Sequence, residues 1–366
     1  MEFKKSIEKL KPYVAGKPIS EVKRELGLHE VIKLASNENP YGCSRLAEEA
    51  ILNAAKHSNI YPDGSAHDLR MALSEKLGVL PEELVFGTGS DGLLELVAKA
   101  FLGKDDESIM PAPSFSLYES NTLAEEAIPV KIPLDESFKM DLDKMFNAIT
   151  DKTRVIWLCN PNNPTGEISD EKEIFDFLEK VPENILIVLD EAYYEFAKGK
   201  GGYPETINKR KDNVIILRTF SKIYGLAGLR VGYGIASEKI ISEIEKVRSP
   251  FNVSIIAQEA AKASLYDEEF INHTLSENEK NMKYMCREFT KMGLYYIPSY
   301  TNFIAVKTPV SSALAFDSLL KKGYIVKGGH VLSMEDGFLR VTIGTKEECE
   351  GFIKALSEVI AENEKS

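Results

Sequence analysis

The sequence predicts an α/β protein: a large domain with a mostly parallel central sheet, a smaller α+β domain behind it and an N-terminal arm in front. Three observations carry this prediction. Short apolar runs alternate with helical patterns through the middle of the chain, as strands joined by crossover helices do. Those runs are apolar throughout instead of alternating with polar residues, as in strands covered on both faces. Beyond residue 260 the style changes to a long polar helical stretch followed by short strands.

Taken in order, residues 1–35 offer no core of their own and are assigned to the arm. The large domain is expected over residues 36–265. Its first strand is "LVFGTG", followed by the helical "DGLLELVAKAFLG" with Leu93, Leu94, Val97, Ala98 and Phe101 on one face. The runs "ESIMP", "AIPVKIPL", "TRVIWLCNP", "ENILIVLDEAYYEF", "NVIILRTF" and "RVGYGIA" continue the sheet. Helices such as "EKEIFDFLEK" and "EKIISEIEKVR" fall between them. Residues 266–366 are assigned to the smaller domain. A long helical stretch is expected from Gln258 to Met292, then strands in "LYYIPS", "NFIAVK", "YIVK" and "FLRVTIG".

The chain has 366 residues, 43% apolar and 28% charged, the make-up of a globular protein in water. Its formal net charge of −12 argues against nucleic acid or an anionic membrane as partner. Cys43, Cys159, Cys286 and Cys349 show neither CxxC nor CxH spacing, so they fit neither a zinc site nor a disulfide framework. Reduced thiols in a cytoplasmic protein are the expectation. No apolar run is long enough to span a bilayer, and "MEFKKSIEKLKPYVAGK" lacks the apolar centre of a signal peptide.

Four short stretches point to chemistry. In "FGTGSDG", residues 86–92, a GxGxxG spacing follows a strand and opens a helix, where backbone N–H groups can approach a phosphate. A dinucleotide site would also need an acidic residue at the end of the next strand. That strand ends in prolines here, and Asp105 and Asp106 stand at its wrong end. In "CNPNNPTGEI", residues 159–168, the Asn-Pro steps make either a plain turn or an asparagine amide set on a ligand oxygen at the carboxyl edge of the sheet. In "VLDEAYYEF", residues 188–196, Asp190 ends an apolar strand; it either caps a helix or faces a buried cationic nitrogen.

The fourth stretch is "RTFSKIYGLAGLR", residues 218–230. Lys222 stands between two hydroxyls, Thr219 and Ser221, and two glycines, with Arg230 closing the segment. Burial and nearby cations depress a lysine's pKa and let it condense with an aldehyde. The hydroxyls and the arginine fork suit an adjacent phosphate. Together the four stretches ask for one ligand with a phosphate, a ring oxygen, a basic nitrogen and a reactive carbonyl. Pyridoxal 5'-phosphate has all four.

Over nearly its whole length the chain resembles the fold-type I pyridoxal-phosphate aminotransferases, and among them the histidinol-phosphate aminotransferases. The resemblance runs through "LKPYVAGK", "IKLASNENPYG", "YPDGSAHDLRMALSEKLG", "GTGSDGLLEL", "PSFSLYE", "CNPNNPTG", "LDEAYYEF", "RTFSKIYGLAGLRVGYGIA", "RSPFNVS" and "LRVTIGT". It implies that Lys222 binds the cofactor's aldehyde and shuttles the substrate proton. Asp190 would pair with the ring nitrogen, Asn163 and Tyr193 would hydrogen-bond the ring hydroxyl oxygen, and Tyr118 would stack on the ring. The phosphate would take the amides of Ser90 and Asp91, the hydroxyls of Thr219 and Ser221, and Arg230. Tyr61 would reach that phosphate across a homodimer interface.

The resemblance further implies that Arg340 grips the substrate's anion, the α-carboxylate of glutamate or the phosphate of histidinol phosphate, with 2-oxoglutarate as amino acceptor. Tyr13 would close over the substrate phosphate. One position departs from the family pattern: "YIVKGGH" carries Lys327 where an arginine is usual. Lysine keeps the charge and loses the two-pronged geometry, so an aromatic amino-acid aminotransferase acting on phenylalanine or tyrosine stays open as the alternative. The histidines, His330 among them, show no partner spacing that suggests catalysis, and no metal site is expected.

Overall fold

The computed structural model describes Ser6, Glu8, Leu10 and residues 18–363. Among these, thirteen strands form three sheets. In chain order they are β1 (Ile32–Lys33), β2 (Leu84–Gly87), β3 (Glu107–Ala112), β4 (Ile128–Pro133), β5 (Thr153–Cys159), β6 (Leu186–Asp190), β7 (Val214–Thr219), β8 (Gly232–Ile235), β9 (Tyr295–Ile297), β10 (Phe303–Lys307), β11 (Tyr324–Ile325), β12 (Lys327–Gly328) and β13 (Phe338–Thr342). The large sheet has the order β2-β8-β7-β6-β5-β3-β4. All its strands run parallel except β8, which is antiparallel to β2 and β7.

Side-chain alternation along these strands feeds two apolar layers. Val155, Trp157 and Val188 face the helices Gly89–Phe101 and Glu238–Val247. Ile156, Leu158 and Leu189 face the helices His67–Leu77, Glu171–Lys180 and Ile255–Ser264. The central strands β6 and β7 are buried at every position, as their continuous apolar runs require. β4 departs from that expectation. It is the edge strand, half-exposed along its length, and its Pro129 and Pro133 are tolerated because no further strand follows.

The second sheet, β12-β13-β10-β9, is antiparallel and shares a separate core with the helices Glu268–Lys291, Ser312–Lys321 and Lys346–Asn363. The long helical stretch expected from Gln258 to Met292 is two helices, Ile255–Ser264 and Glu268–Lys291. Asp267 accepts a hydrogen bond from the Phe270 amide and starts the second helix as a new N-cap. The second helix then carries the chain from one apolar core to the other: Ile271 and Leu275 still pack on the first, Met285 and Phe289 on the second. Within the expected arm, residues 18–35 are packed down: Val22, Val31 and Ala35 share a small core with Leu320 and Ile325, and β1 pairs in parallel with β11.

Candidate active site

The carboxyl ends of the parallel strands deliver most of the site residues to one edge of the large sheet, the place where open α/β sheets bind ligands. β2 turns through Thr88 and Gly89 into the helix Gly89–Phe101, whose start has no side-chain cap. Its first amides, Ser90 and Asp91 among them, are therefore open to an anion. β8 runs directly under that helix start. A Cβ on Gly232 would stand 2.6 Å from the Ser90 nitrogen, so only glycine lets the helix sit this close.

Arg230, in the left-handed region at φ 54°, folds back over this helix start. Its Nη1 donates to Ser221 Oγ at 3.2 Å, and its Nη2 donates to Asp91 Oδ2 at 3.2 Å. Gly89, at φ 75°, makes room for the guanidinium: a Cβ there would meet Nη2 at 2.5 Å. The Ser221 amide donates to Thr219 Oγ1 at 3.1 Å. Ser90, Asp91, Thr219, Ser221 and Arg230 thus form one cup of anion-binding groups. The half-exposed Arg230–Asp91 pair is a weak contact that a phosphate can replace.

Lys222 follows the cup. Its Nζ donates to the Ser36 carbonyl at 3.4 Å and lies 5.6 Å from the centre of the Tyr193 ring. Burial, reinforced by the charges of Arg340 and Arg230 and opposed by Asp91 and Glu38, pulls its pKa down to about 8. Asp190, the last residue of β6, is 4% exposed. It accepts hydrogen bonds from the Tyr118 hydroxyl at 2.7 Å and the Ala192 amide at 3.2 Å. Burial outweighs those donors and pushes its pKa up to about 6. A buried carboxylate held so close to neutrality gains by meeting a cation.

Arg340, in the middle of β13, reaches across to the loop after β5 and to the segment after β1. Its Nη1 donates to Asn163 Oδ1 at 2.6 Å and its Nη2 to the Ala35 carbonyl at 2.6 Å. Lys327 lies opposite Arg340 in the β12–β13 ladder. Burial, then the charges of Arg340 and Lys33, lowers the Lys327 pKa. Like charges directly opposite in a ladder repel, and an anion between them relieves the repulsion. Among the described residues the structure thus brings Lys222, Tyr193, Asn163, Arg340 and Lys327 to one place beside the phosphate cup and Asp190.

Tyr118 does not fit the stacking role expected of it. Its ring is fully buried, stacked on Trp157 at 5.3 Å and 11° and met edge-on by Phe115 at 5.9 Å. The helix Leu117–Ala124 turns it under the sheet edge, where its hydroxyl supports Asp190. Phe115, ahead of that helix, stays half-buried and is the aromatic of this turn with a face left over. Tyr61 lies on the surface, 79% exposed and stacked on Phe251 at 4.8 Å. Tyr13 lies outside the described residues.

Sequence reasoning missed Asn37. It is 1% exposed at φ 55°, a conformation asparagine tolerates better than most residues. Its Nδ2 donates to the Tyr193 hydroxyl at 2.8 Å, and its own amide donates to Thr342 Oγ1 at 2.9 Å. It therefore ties Tyr193 to the strand that carries Arg340. The only available signal was an asparagine in a short polar segment, "SNEN", which reads equally well as a turn.

The residues fit pyridoxal phosphate on four counts: an uncapped helix start floored by glycine, a buried carboxylate poised for a cationic nitrogen, a low-pKa amine, and a tyrosine–asparagine pair for a ring oxygen. A family model described as aminotransferase class I and II matches residues 29–356. A curated relative from Carboxydothermus hydrogenoformans, named histidinol-phosphate aminotransferase 2, is 46% identical over 359 residues, spanning 98% of this chain and 99% of its own. One from Geobacillus sp., named histidinol-phosphate aminotransferase, is 46% identical over the full length of both chains. Among solved structures, the histidinol-phosphate aminotransferase of Sinorhizobium meliloti in complex with pyridoxal-5'-phosphate superposes with a TM-score of 0.90 at 28% identity, covering 99% of this chain and 98% of that one.

Proposed function

Because the chain belongs to the class I and II aminotransferases, we propose that it moves an amino group between L-histidinol phosphate and 2-oxoglutarate, as a step of L-histidine biosynthesis, with pyridoxal 5'-phosphate as cofactor. The products are imidazole acetol phosphate and L-glutamate. The observation that carries this reading is the enclosure of the Lys222 amine between Tyr193 and Arg340, next to an anion cup and a buried carboxylate.

Bound at this site, the cofactor supplies an electron sink for the carbanion left when a substrate loses its α-proton. The chain's own residues do the rest. Lys222 is the side chain that would hold the aldehyde, and with a pKa of about 8 part of it is unprotonated near neutral pH and able to accept the α-proton. Asp190 would hold the ring nitrogen in its protonated form, since each charge stabilises the other in a dry site. Asn163 and Tyr193 would face the ring hydroxyl, and the cup from Ser90 to Arg230 would hold the phosphate. Phe115 replaces Tyr118 as the aromatic proposed to cover the ring.

Arg340 and Lys327 would receive the substrate's anion, two positive groups for a dianionic phosphate. This favours histidinol phosphate over phenylalanine or tyrosine, and the names of the relatives point the same way. A homodimer is part of the proposal. Leu52, Ile60, Tyr61 and Phe251 are large exposed apolar residues, the kind of surface a second copy covers, and Tyr61 would then reach the other subunit's phosphate. A cytoplasmic location is supported by four free cysteines; no described helix is long and apolar enough to cross a membrane. The test is kcat/KM for histidinol phosphate and for phenylalanine with 2-oxoglutarate as acceptor. A higher value for phenylalanine would overturn the substrate assignment.

A further inference from the structure

Beneath the site, on the opposite face of the large sheet, Glu191 and Arg218 form an ion pair with 1% and 3% of their side chains exposed. Arg218 Nε and Nη2 both donate to Glu191 Oε2, at 2.9 and 2.8 Å. The Thr206 hydroxyl donates to the other carboxylate oxygen at 2.5 Å. The guanidinium also stands over Tyr194, with its Cζ 3.3 Å from the ring centre. Every side of the pair is therefore fixed.

Its place in the chain is what gives it meaning. Glu191 directly follows Asp190, and Arg218 directly precedes Thr219. Successive strand residues point to opposite faces: Val188 and Leu217 lie in one apolar layer, Leu189 and Ile216 in the other. Asp190 and Thr219 continue the first layer's side, towards the cofactor site, while Arg218 continues the second. The pair stands where β6 and β7 stop hydrogen-bonding to each other; the last link is the Glu191 amide to the Leu217 carbonyl at 2.8 Å. Beyond it β7 keeps only its other neighbour, β8, with the Phe220 amide donating to the Val231 carbonyl. Past β6 the chain leaves the strand and turns into the helix at Tyr194, so that Glu191 and Tyr194 meet at the ion pair while Asp190 and Tyr193 remain near Lys222.

We propose that the Glu191–Arg218 pair is a positioning clamp, setting the distance between Asp190 and the segment Thr219–Lys222 so that one rigid ligand meets both. The inference rests on the cofactor assignment made above. A buried ion pair is a poor source of stability, because two apolar residues of similar size commonly do as well or better. Its worth here lies in orientation: two strand ends that carry different contacts to the same ligand are joined by two directed hydrogen bonds at the point where the sheet stops joining them.

The double variant Glu191→Met/Arg218→Met separates clamp from brace. Cofactor-free wild type and variant are unfolded in urea to read the midpoint, and separate folded samples are titrated with pyridoxal 5'-phosphate and followed by visible absorbance. The clamp predicts a urea midpoint equal to or above wild type, at least about tenfold weaker cofactor binding, and a kcat lowered about 10²-fold, the scale of a small misplacement. A double variant that binds the cofactor within twofold of wild type overturns the clamp alone. A wild type that takes up no pyridoxal 5'-phosphate overturns the cofactor assignment, and the clamp with it. Should the double variant not fold, Thr206→Val decides: the clamp predicts about fivefold weaker binding from one lost hydrogen bond, and a lowered urea midpoint with unchanged binding overturns it.

Discussion

Replacing Lys222 with methionine should stabilise the cofactor-free protein at neutral pH, and by an amount that depends on pH in a defined way. The folded chain lowers the Lys222 pKa from 10.5 to about 8. Below that value the amine is protonated in both folded and unfolded chains, and the folded state bears the cost of a charge in a half-buried place beside Arg340 and Arg230. The difference corresponds to about 3 kcal/mol. Between pH 8 and 10.5 the unfolded chain holds one more proton than the folded chain, so wild-type stability climbs by about 1.4 kcal/mol per pH unit from this group. Lys222→Met has no such term. The stability gap, variant over wild type, should be about 3 kcal/mol wider at pH 7 than at pH 10.5. Urea titrations of both cofactor-free proteins at half-unit steps measure it directly. A gap that stays flat over this range refutes the argument that Lys222 is held as a strained, low-pKa amine.

The remaining predictions concern the groups around it. Asp190→Ala should lower kcat by about 10²-fold or more, as loss of a preorganised charge does. Asp190 also predicts its own pH signature. Its pKa rises from 3.8 to about 6, so its burial costs nothing below pH 3.8 and the full amount above pH 6; Asp190→Asn should gain on wild type across that window in the cofactor-free state. Gly89→Ala should cost about 1–2 kcal/mol for its left-handed backbone and also weaken cofactor binding by displacing Arg230, measured by urea unfolding and by cofactor titration. Lys327→Met should lower kcat/KM for histidinol phosphate about tenfold or more while leaving phenylalanine little changed. Tyr61→Ala should weaken cofactor binding in the dimer, read by titration after sizing the protein in solution.

Much of this site was legible in the chain because its parts are local. A strand that ends in Asp190, a glycine turn that opens a helix at Ser90, and a lysine between hydroxyls at 219–222 each carry a chemical reason within a few residues. The α/β reading was legible for the same cause, since a buried parallel strand must be apolar along its whole length. What the sequence withheld depends on direction and on distant contact. "PSFSLY" holds two aromatics, and only the start of the helix at Leu117 decides that Tyr118 turns into the core and Phe115 does not. Asn37 touches Tyr193 and Thr342, both far along the chain. The helix break at Asp267 leaves Ile271 and Leu275 on the same core as Ala257 and Ala261, and the chain passes to the second core only at Met282 and Met285, a fact of tertiary packing that the local pattern does not hold.

The most direct test is to load the protein with pyridoxal 5'-phosphate, reduce it with borohydride and map the peptides by mass. A single amine, enclosed at the mouth of the phosphate cup, should carry the cofactor: the account predicts one pyridoxyl-labelled peptide, the one containing Lys222. A label on any other lysine, or no label after full loading, would contradict it.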